Sequence, residues 1–125
     1  MILEQRLGEI IRDPTELART IVDILLDKKG IDTLLLDVRE ISLLADYFII
    51  STGEVDRQIK AMAEEISQAL KAEHIYPLHI EGDANSGWVL LDYGEIVVHL
   101  LSPDMRSFYR LEELWREARV VVKVQ

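Results

Sequence analysis

The run from Ser86 to Leu101 constrains the fold more than any other part of the chain. It reads as two apolar strands joined by a tight turn, because Asp92-Tyr93-Gly94-Glu95 interrupts an otherwise aliphatic stretch. With Tyr93 and Gly94 as a two-residue loop, Asp92 faces Glu95, Leu90 faces Val97, and Trp88 faces His99. Val89, Leu91, Ile96, Val98 and Leu100 then share a face without a polar atom, which makes it a core face. The other face carries Trp88, Leu90, Asp92, Glu95, Val97, His99 and Leu101, a mixture suited to receiving a partner. A three-residue loop with Gly94 left-handed would slip the pairing by one and set Trp88 beside Val98. The two-residue loop is preferred because its core face is homogeneous, and a type II turn would spare Tyr93 a positive φ.

The rest of the chain supplies elements to pack around that hairpin. Asp13 is placed as an N-cap and Pro14 at the first helical position. The helix they start runs to about Lys29, with Leu17, Ile21, Ile24 and Leu25 as its buried stripe and Gly30 as its stop. Residues 31–38 and 47–51 read as strands, the second aromatic and β-branched. Val55, Ile59, Met62, Ile66, Ala69 and Leu70 then mark an amphipathic helix ending near Ala72. A third strand is predicted over 76–80, with Pro77 at an edge or first position, followed by a loop over 81–87. Ser102 caps a short helix, and Leu111, Leu114, Trp115 and Ala118 mark a second helical segment. Residues 120–124 fit either a final strand or a tail. Ile2, Leu3, Leu7, Ile10 and Ile11 give the first dozen residues a partial helical pattern that would pack on the domain or on a neighbouring chain. The outcome is one α/β domain over 1–125, with a mixed sheet of about five strands flanked by helices. Residues 1–12 form an N-terminal extension and 119–125 a C-terminal tail.

Charge narrows the choice of partner. With 14 Lys and Arg against 23 Asp and Glu, the chain carries a net charge of −9. No basic cluster offers itself to a phosphate backbone, so direct nucleic-acid binding is not expected. An acidic surface instead suits a basic protein. Cysteine is absent, which excludes thiolate chemistry. No apolar run approaches the roughly 20 residues of a membrane span, and the first residues lack the order of a signal peptide, so the cytoplasm is the expected location.

Catalytic signatures are missing. Ser51-Thr52-Gly53 before a helix resembles a phosphate cradle, yet Glu54 and Asp56 would repel an anion there, and neither Walker nor G-x-G-x-x-G spacing follows. His74, His79 and His99 lack metal-ligand spacing, so no metal is expected, and His99 is better placed as a partly exposed hydrogen-bonding residue opposite Trp88. Asp92 and Glu95 are predicted as a cross-strand carboxylate pair, solvated at the hairpin tip and open to a basic partner. No nucleophile–base constellation is legible, and neither a catalytic residue nor a cofactor is expected. Trp88 stands out instead, since tryptophan ringed by polar groups dominates many binding surfaces.

The order of Asp46 to Gly53, Asp56-Arg57-Gln58, Glu81-Gly82, Trp88 to His99 and Phe108-Tyr109 with Leu111-Glu112 and Leu114-Trp115 resembles the ribosomal silencing factor family (RsfS, also called Iojap). The resemblance spans about residues 14–118. It implies a nucleotidyltransferase-like α/β fold without that fold's catalytic carboxylates. It also implies binding to the large ribosomal subunit through ribosomal protein uL14, which would block joining of the small subunit and repress translation. The contact surface it implies falls on Trp88, Asp92, Tyr93, Glu95, His99 and Leu101. Val55 departs from the family, which commonly has a small hydroxyl residue there. Two other readings stay open: a nucleotide-binding enzyme of nucleotidyltransferase type, by fold analogy alone, and a module that forms a homodimer through the hairpin face.

Overall fold

The computed structural model describes residues 13–125, and the apolar pattern predicted over 1–12 lies outside the described residues. Helix α1 spans Pro14–Asp27, and the Asp13 carboxylate accepts from the Thr15 N–H at 3.1 Å, as a cap should. It ends where Lys29 turns left-handed and Gly30 N–H reaches back to Leu25 O at 2.8 Å. Strands β1 (Ile31–Asp37) and β2 (Tyr47–Thr52) follow, then helix α2 (Asp56–Ala72). Strands β3 (His79–Asp83), β4 (Trp88–Asp92) and β5 (Ile96–Leu101) come next, then the short helices α3 (Pro103–Tyr109) and α4 (Leu111–Leu114), and strand β6 (Arg119–Val124).

These strands form one sheet of six in the order β3-β4-β5-β2-β1-β6, mixed because β2 and β5 run parallel while the other neighbours are antiparallel. The strand-or-tail alternative at the C-terminus resolves as β6, paired along β1. The third strand lies further along than predicted. Glu81, Gly82 and Asp83 belong to it, because pairing with β4 outweighs their turn propensity, and a capped 3₁₀ turn over Ala84–Ser86 makes the connection.

The sheet is covered on both faces. Leu35, Ile49, Leu91, Ile96, Val98 and Leu100 meet Ile21 and Leu25 of α1 and Ile59, Met62 and Ile66 of α2 in the larger core. On the opposite face Leu34, Leu36, Ile50 and Leu101 pack under the α3–α4 segment with Phe48, Trp88 and Trp115.

The hairpin keeps its predicted faces but not its predicted register. Asp92 lies opposite Val97, Leu90 opposite His99, and Trp88 opposite Leu101. The loop is Gly94-Glu95 rather than Tyr93-Gly94: Tyr93 N–H bonds Ile96 O at 2.8 Å, and Gly94 holds φ +86°. Glycine thus takes the first loop position, where the twist of a hairpin asks for positive φ, and Tyr93 is spared it. A two-residue shift preserves parity, so no side chain changes face.

Candidate docking face

Trp88 opens β4 on the α3–α4 side of the sheet and is half-buried. Its indole N–H donates to His99 Nδ1 at 3.2 Å, a contact made on the diagonal because Leu101, not His99, is directly opposite. The Tyr109 ring lies 4.6 Å away on its other side. His99 is 9% exposed, and burial lowers its pKa to about 4. A neutral ring with Nδ1 free to accept is what the indole requires. Phe48 touches His99 edge-on at 5.8 Å and Trp115 at 4.5 Å, so a ladder of rings crosses this face from Tyr109 to Trp115.

Beside that ladder a groove of about 310 Å³ opens between the β3–β4 edge and α3. Trp88, Leu90 and Met105 give it apolar walls, while Glu81, Gly82 and Ser86 form its lip. Two things fix α3 against the sheet. Ser102 Oγ caps it at Met105 N–H, 3.2 Å away. Arg106 fans its guanidinium to Thr52 Oγ1 at 2.9 Å, Asp32 O at 2.8 Å and the Glu112 carboxylate at 3.1 Å. Only 11% of that side chain is exposed, so its charge is matched by partners instead of water. Phe108 and Tyr109 project from the end of α3, Phe108 at 78% exposure.

The six residues carried over by resemblance separate into different roles. Trp88 lines the groove. Glu95 is exposed at the hairpin tip, while its carbonyl accepts from Asp46 and Tyr47 N–H. The Asp92 carboxylate folds back to accept from Gly94 N–H at 2.7 Å, so it braces the turn and lies opposite Val97; the predicted cross-strand carboxylate pair does not form. Tyr93 follows the other parity. It packs with the α2-side core near Ser67, and burial raises its phenol pKa. Leu101 is 0% exposed and carries no surface for a partner, while His99 acts as support behind Trp88.

Sequence reasoning named Phe108 and Tyr109 only inside the family motif and missed Arg106 altogether. Adjacent aromatics closing a helix that begins Ser-Pro are a signal for the first pair. Nothing local marks Arg106, whose partners Asp32 and Thr52 come from the other end of the chain. At the start of α2, Val55 provides no side-chain cap. Gln58 replaces it: its Oε1 accepts from Glu54 N–H at 2.7 Å, and its amide donates to Lys28 O and Lys29 O at 3.1 and 2.9 Å. That glutamine closes the α2 entry with protein atoms. His79 pairs with Glu81 at 2.7 Å, and among the described residues no three His, Asp or Glu side chains converge on a metal-sized site.

Comparison with known proteins places this architecture. The model of a family described as "ribosomal silencing factor during starvation" matches residues 11–125, reaching past the 14–118 of the sequence resemblance to include β6. A Bacillus subtilis protein named ribosomal silencing factor RsfS is 45% identical over 92 residues, covering 74% of this chain and 78% of its own. A Zymomonas mobilis protein of the same name is 39% identical over 103 residues, 82% of this chain and 77% of that one. Among solved structures, a Chromobacterium violaceum protein superposes with a TM-score of 0.79 at 34% identity, covering 83% of this chain and 87% of that one. A more distant mouse relative, 31% identical over 76% of this chain and 43% of its own, is named for mitochondrial assembly of the ribosomal large subunit.

Proposed function

The chain belongs to the ribosomal silencing factor family, RsfS or Iojap, and from that premise we propose that it represses translation by binding the large ribosomal subunit through uL14 and occupying space the small subunit needs. The mouse relative's name supports the large subunit as the target. The observation that carries the reading is the half-buried Trp88 at the wall of an open apolar groove lipped by Glu81, with exposed Asp83 and Glu95 on the same hairpin system. A partly exposed indole beside carboxylates fits a basic protein surface with an apolar anchor, since the ring supplies contact area and the acids supply orientation and encounter rate. Inhibition by bulk needs no turnover, in keeping with the regulatory role in the relatives' name.

Relative to the six residues named by resemblance, the contact narrows to Trp88 and Glu95 and gains Glu81, Phe108 and Tyr109. Asp92, His99 and Leu101 hold that surface in shape, while Tyr93 belongs to the α2 side of the sheet. Sedimentation with separated ribosomal subunits tests this. Trp88→Ala is expected to remove the protein from the large-subunit fraction, and Glu81→Lys with Glu95→Lys to weaken binding at least roughly tenfold, with a steeper loss at low salt. The charge variants touch no core residue. If they and a folded Trp88→Ala all still co-sediment as the parent does, the groove is not the contact.

A further inference from the structure

The α3–α4 face holds a second cavity, at the opposite end of the ring ladder from Trp88. It measures about 360 Å³ and lies between the β1–β6 pair and the turn that follows α4, within the size range of small-molecule sites. Leu34, Leu36 and Val120 of the strands give it an apolar floor, and Trp115 stands at its wall. One side of that indole is taken by Phe48, 4.5 Å away edge-on. Val120 keeps 54% of its surface in water, so the floor is not closed by the protein itself.

The strand that forms the rim is irregular at this point. Val120 and Lys123 are three residues apart, and a regular strand would point them to opposite faces. Here Leu34 pairs with Lys123, Leu35 with Val122 and Leu36 with Val120, so Val121 is an extra residue in β6. Val121 and Val122 both pack on the aliphatic core, and Lys123 returns to the face of Leu34, Leu36 and Val120. Bulges re-aim side chains, and this one brings an ammonium group to the cavity.

The charges at the lining do not cancel. Arg106 and Glu112 are paired at 3.1 Å and offset each other. Among the described residues, the side chains of Arg116 and Lys123 carry no hydrogen bond or ion pair, and Asp32 is the remaining acid of the lining. Two cations against one acid leave the side chains with a single positive charge, in a protein whose total is −9. That balance favours a monoanion over a phosphate dianion, and the floor asks for a hydrocarbon body.

We propose that this cavity binds a small organic monocarboxylate. Arg116 and Lys123 take the carboxylate through charge-assisted hydrogen bonds, and Leu36, Val120 and Trp115 take the hydrocarbon body. The site is separate from the groove at Trp88 and stands or falls independently of what that groove binds.

Octanoate is the probe, titrated into the full chain and followed by calorimetry. A parallel titration of Trp88→Phe leaves Trp115 as the fluorescent reporter, since the chain has two tryptophans. Saturable binding at one site, of millimolar strength or tighter, is expected, with a change in Trp115 emission. Octanol has the tail without the charge and acetate the charge without the tail, so each should bind at least roughly tenfold more weakly. The double variant Arg116→Gln, Lys123→Gln changes two exposed side chains, and it should weaken octanoate at least roughly tenfold while the urea midpoint stays put. Absence of octanoate binding overturns the proposal. So does binding that the double variant retains at parental strength, or that leaves Trp115 emission unchanged, since either would put the probe elsewhere on the surface. Octanol binding as tightly as octanoate would reduce the cavity to an unselective apolar cleft and also overturn it.

Discussion

The two faces of the sheet are built on different principles. Towards α1 and α2 the contacts are almost entirely aliphatic, with Ile49, Val98 and Leu100 wholly buried beneath Ile59, Met62 and Ile66. Towards α3 and α4 the same sheet presents Phe48, His99 and Trp88, held by ring contacts, one indole–imidazole hydrogen bond and a buried guanidinium. Dispersion and the hydrophobic effect are non-directional, so the first face supplies stability without demanding exact geometry. Hydrogen bonds and ring stacks are directional, so the second face fixes where a few groups point, and it leaves a groove open beside them. Non-directional packing and directional contacts are thus carried on opposite sides of one sheet.

That division breaks if the faces respond alike to damage. Ile49→Ala, in the middle of the aliphatic face, is expected to cost about 3–4 kcal/mol by lost burial plus the cavity left behind, read as a shift in urea midpoint at constant slope. An equal loss from truncating a residue at the groove would contradict it. Acid should distinguish the faces next. His99 has a folded pKa of about 4 against an unfolded value near 6.5, so between those values the unfolded chain binds more protons than the folded one. Stability is therefore fullest above about pH 6.5 and falls as pH drops towards 4, by at most about 3 kcal/mol from this group. Asp37, clamped by Arg39 and Arg119, is shifted well below the usual carboxylate range and loses its contribution only below about pH 4, so the two windows separate. His99→Gln should flatten the upper window and leave the lower one. A slope that survives the substitution would mean that His99 is not the titrating group.

What the sequence disclosed follows the same division. Aliphatic alternation in the hairpin and the four-three spacing in α2 from Ile59 onward specified the core face correctly, because periodicity encodes which side of an element is apolar, whereas Val55, the first residue of that series, is an exposed N-cap. It does not encode register. Tyr93-Gly94 and Gly94-Glu95 loops bury the same side chains, and only the preference for glycine at the first loop position decides between them. The α/β class and the family motifs were legible over most of the chain. β6 was legible only as one of two alternatives, strand or tail, since its strand character depends on pairing with β1, eighty residues away. At the candidate docking face, composition singled out Trp88 but assigned Leu101 and Tyr93 to the same surface. Leu101 has that parity yet lies under the α3–α4 segment, and Tyr93 leaves the turn on the α2 side. Burial by a later segment is a tertiary fact that no local pattern carries.

The smallest effect should come from the charge that anchors the groove wall. Arg106 makes hydrogen bonds to a hydroxyl, a carbonyl and a carboxylate from three separate elements, a geometry that needs the planar fork of a guanidinium. Lysine keeps the charge but cannot reach all three, so Arg106→Lys is expected to cost only about 1–2 kcal/mol globally. Its local effect should be larger than its global one. Met105 and Tyr109 are held over Trp88 by the helix that Arg106 anchors, so exchange across 103–110 should quicken and Trp88 fluorescence should shift towards that of a wetter indole, while α1 and α2 keep their protection. If exchange rises equally on both sides of the sheet, Arg106 is part of the general core and the two faces are not separable. If α3 loosens alone, the groove wall is an independently stabilised element, and ribosomal-subunit binding by this variant should weaken in step with that loosening.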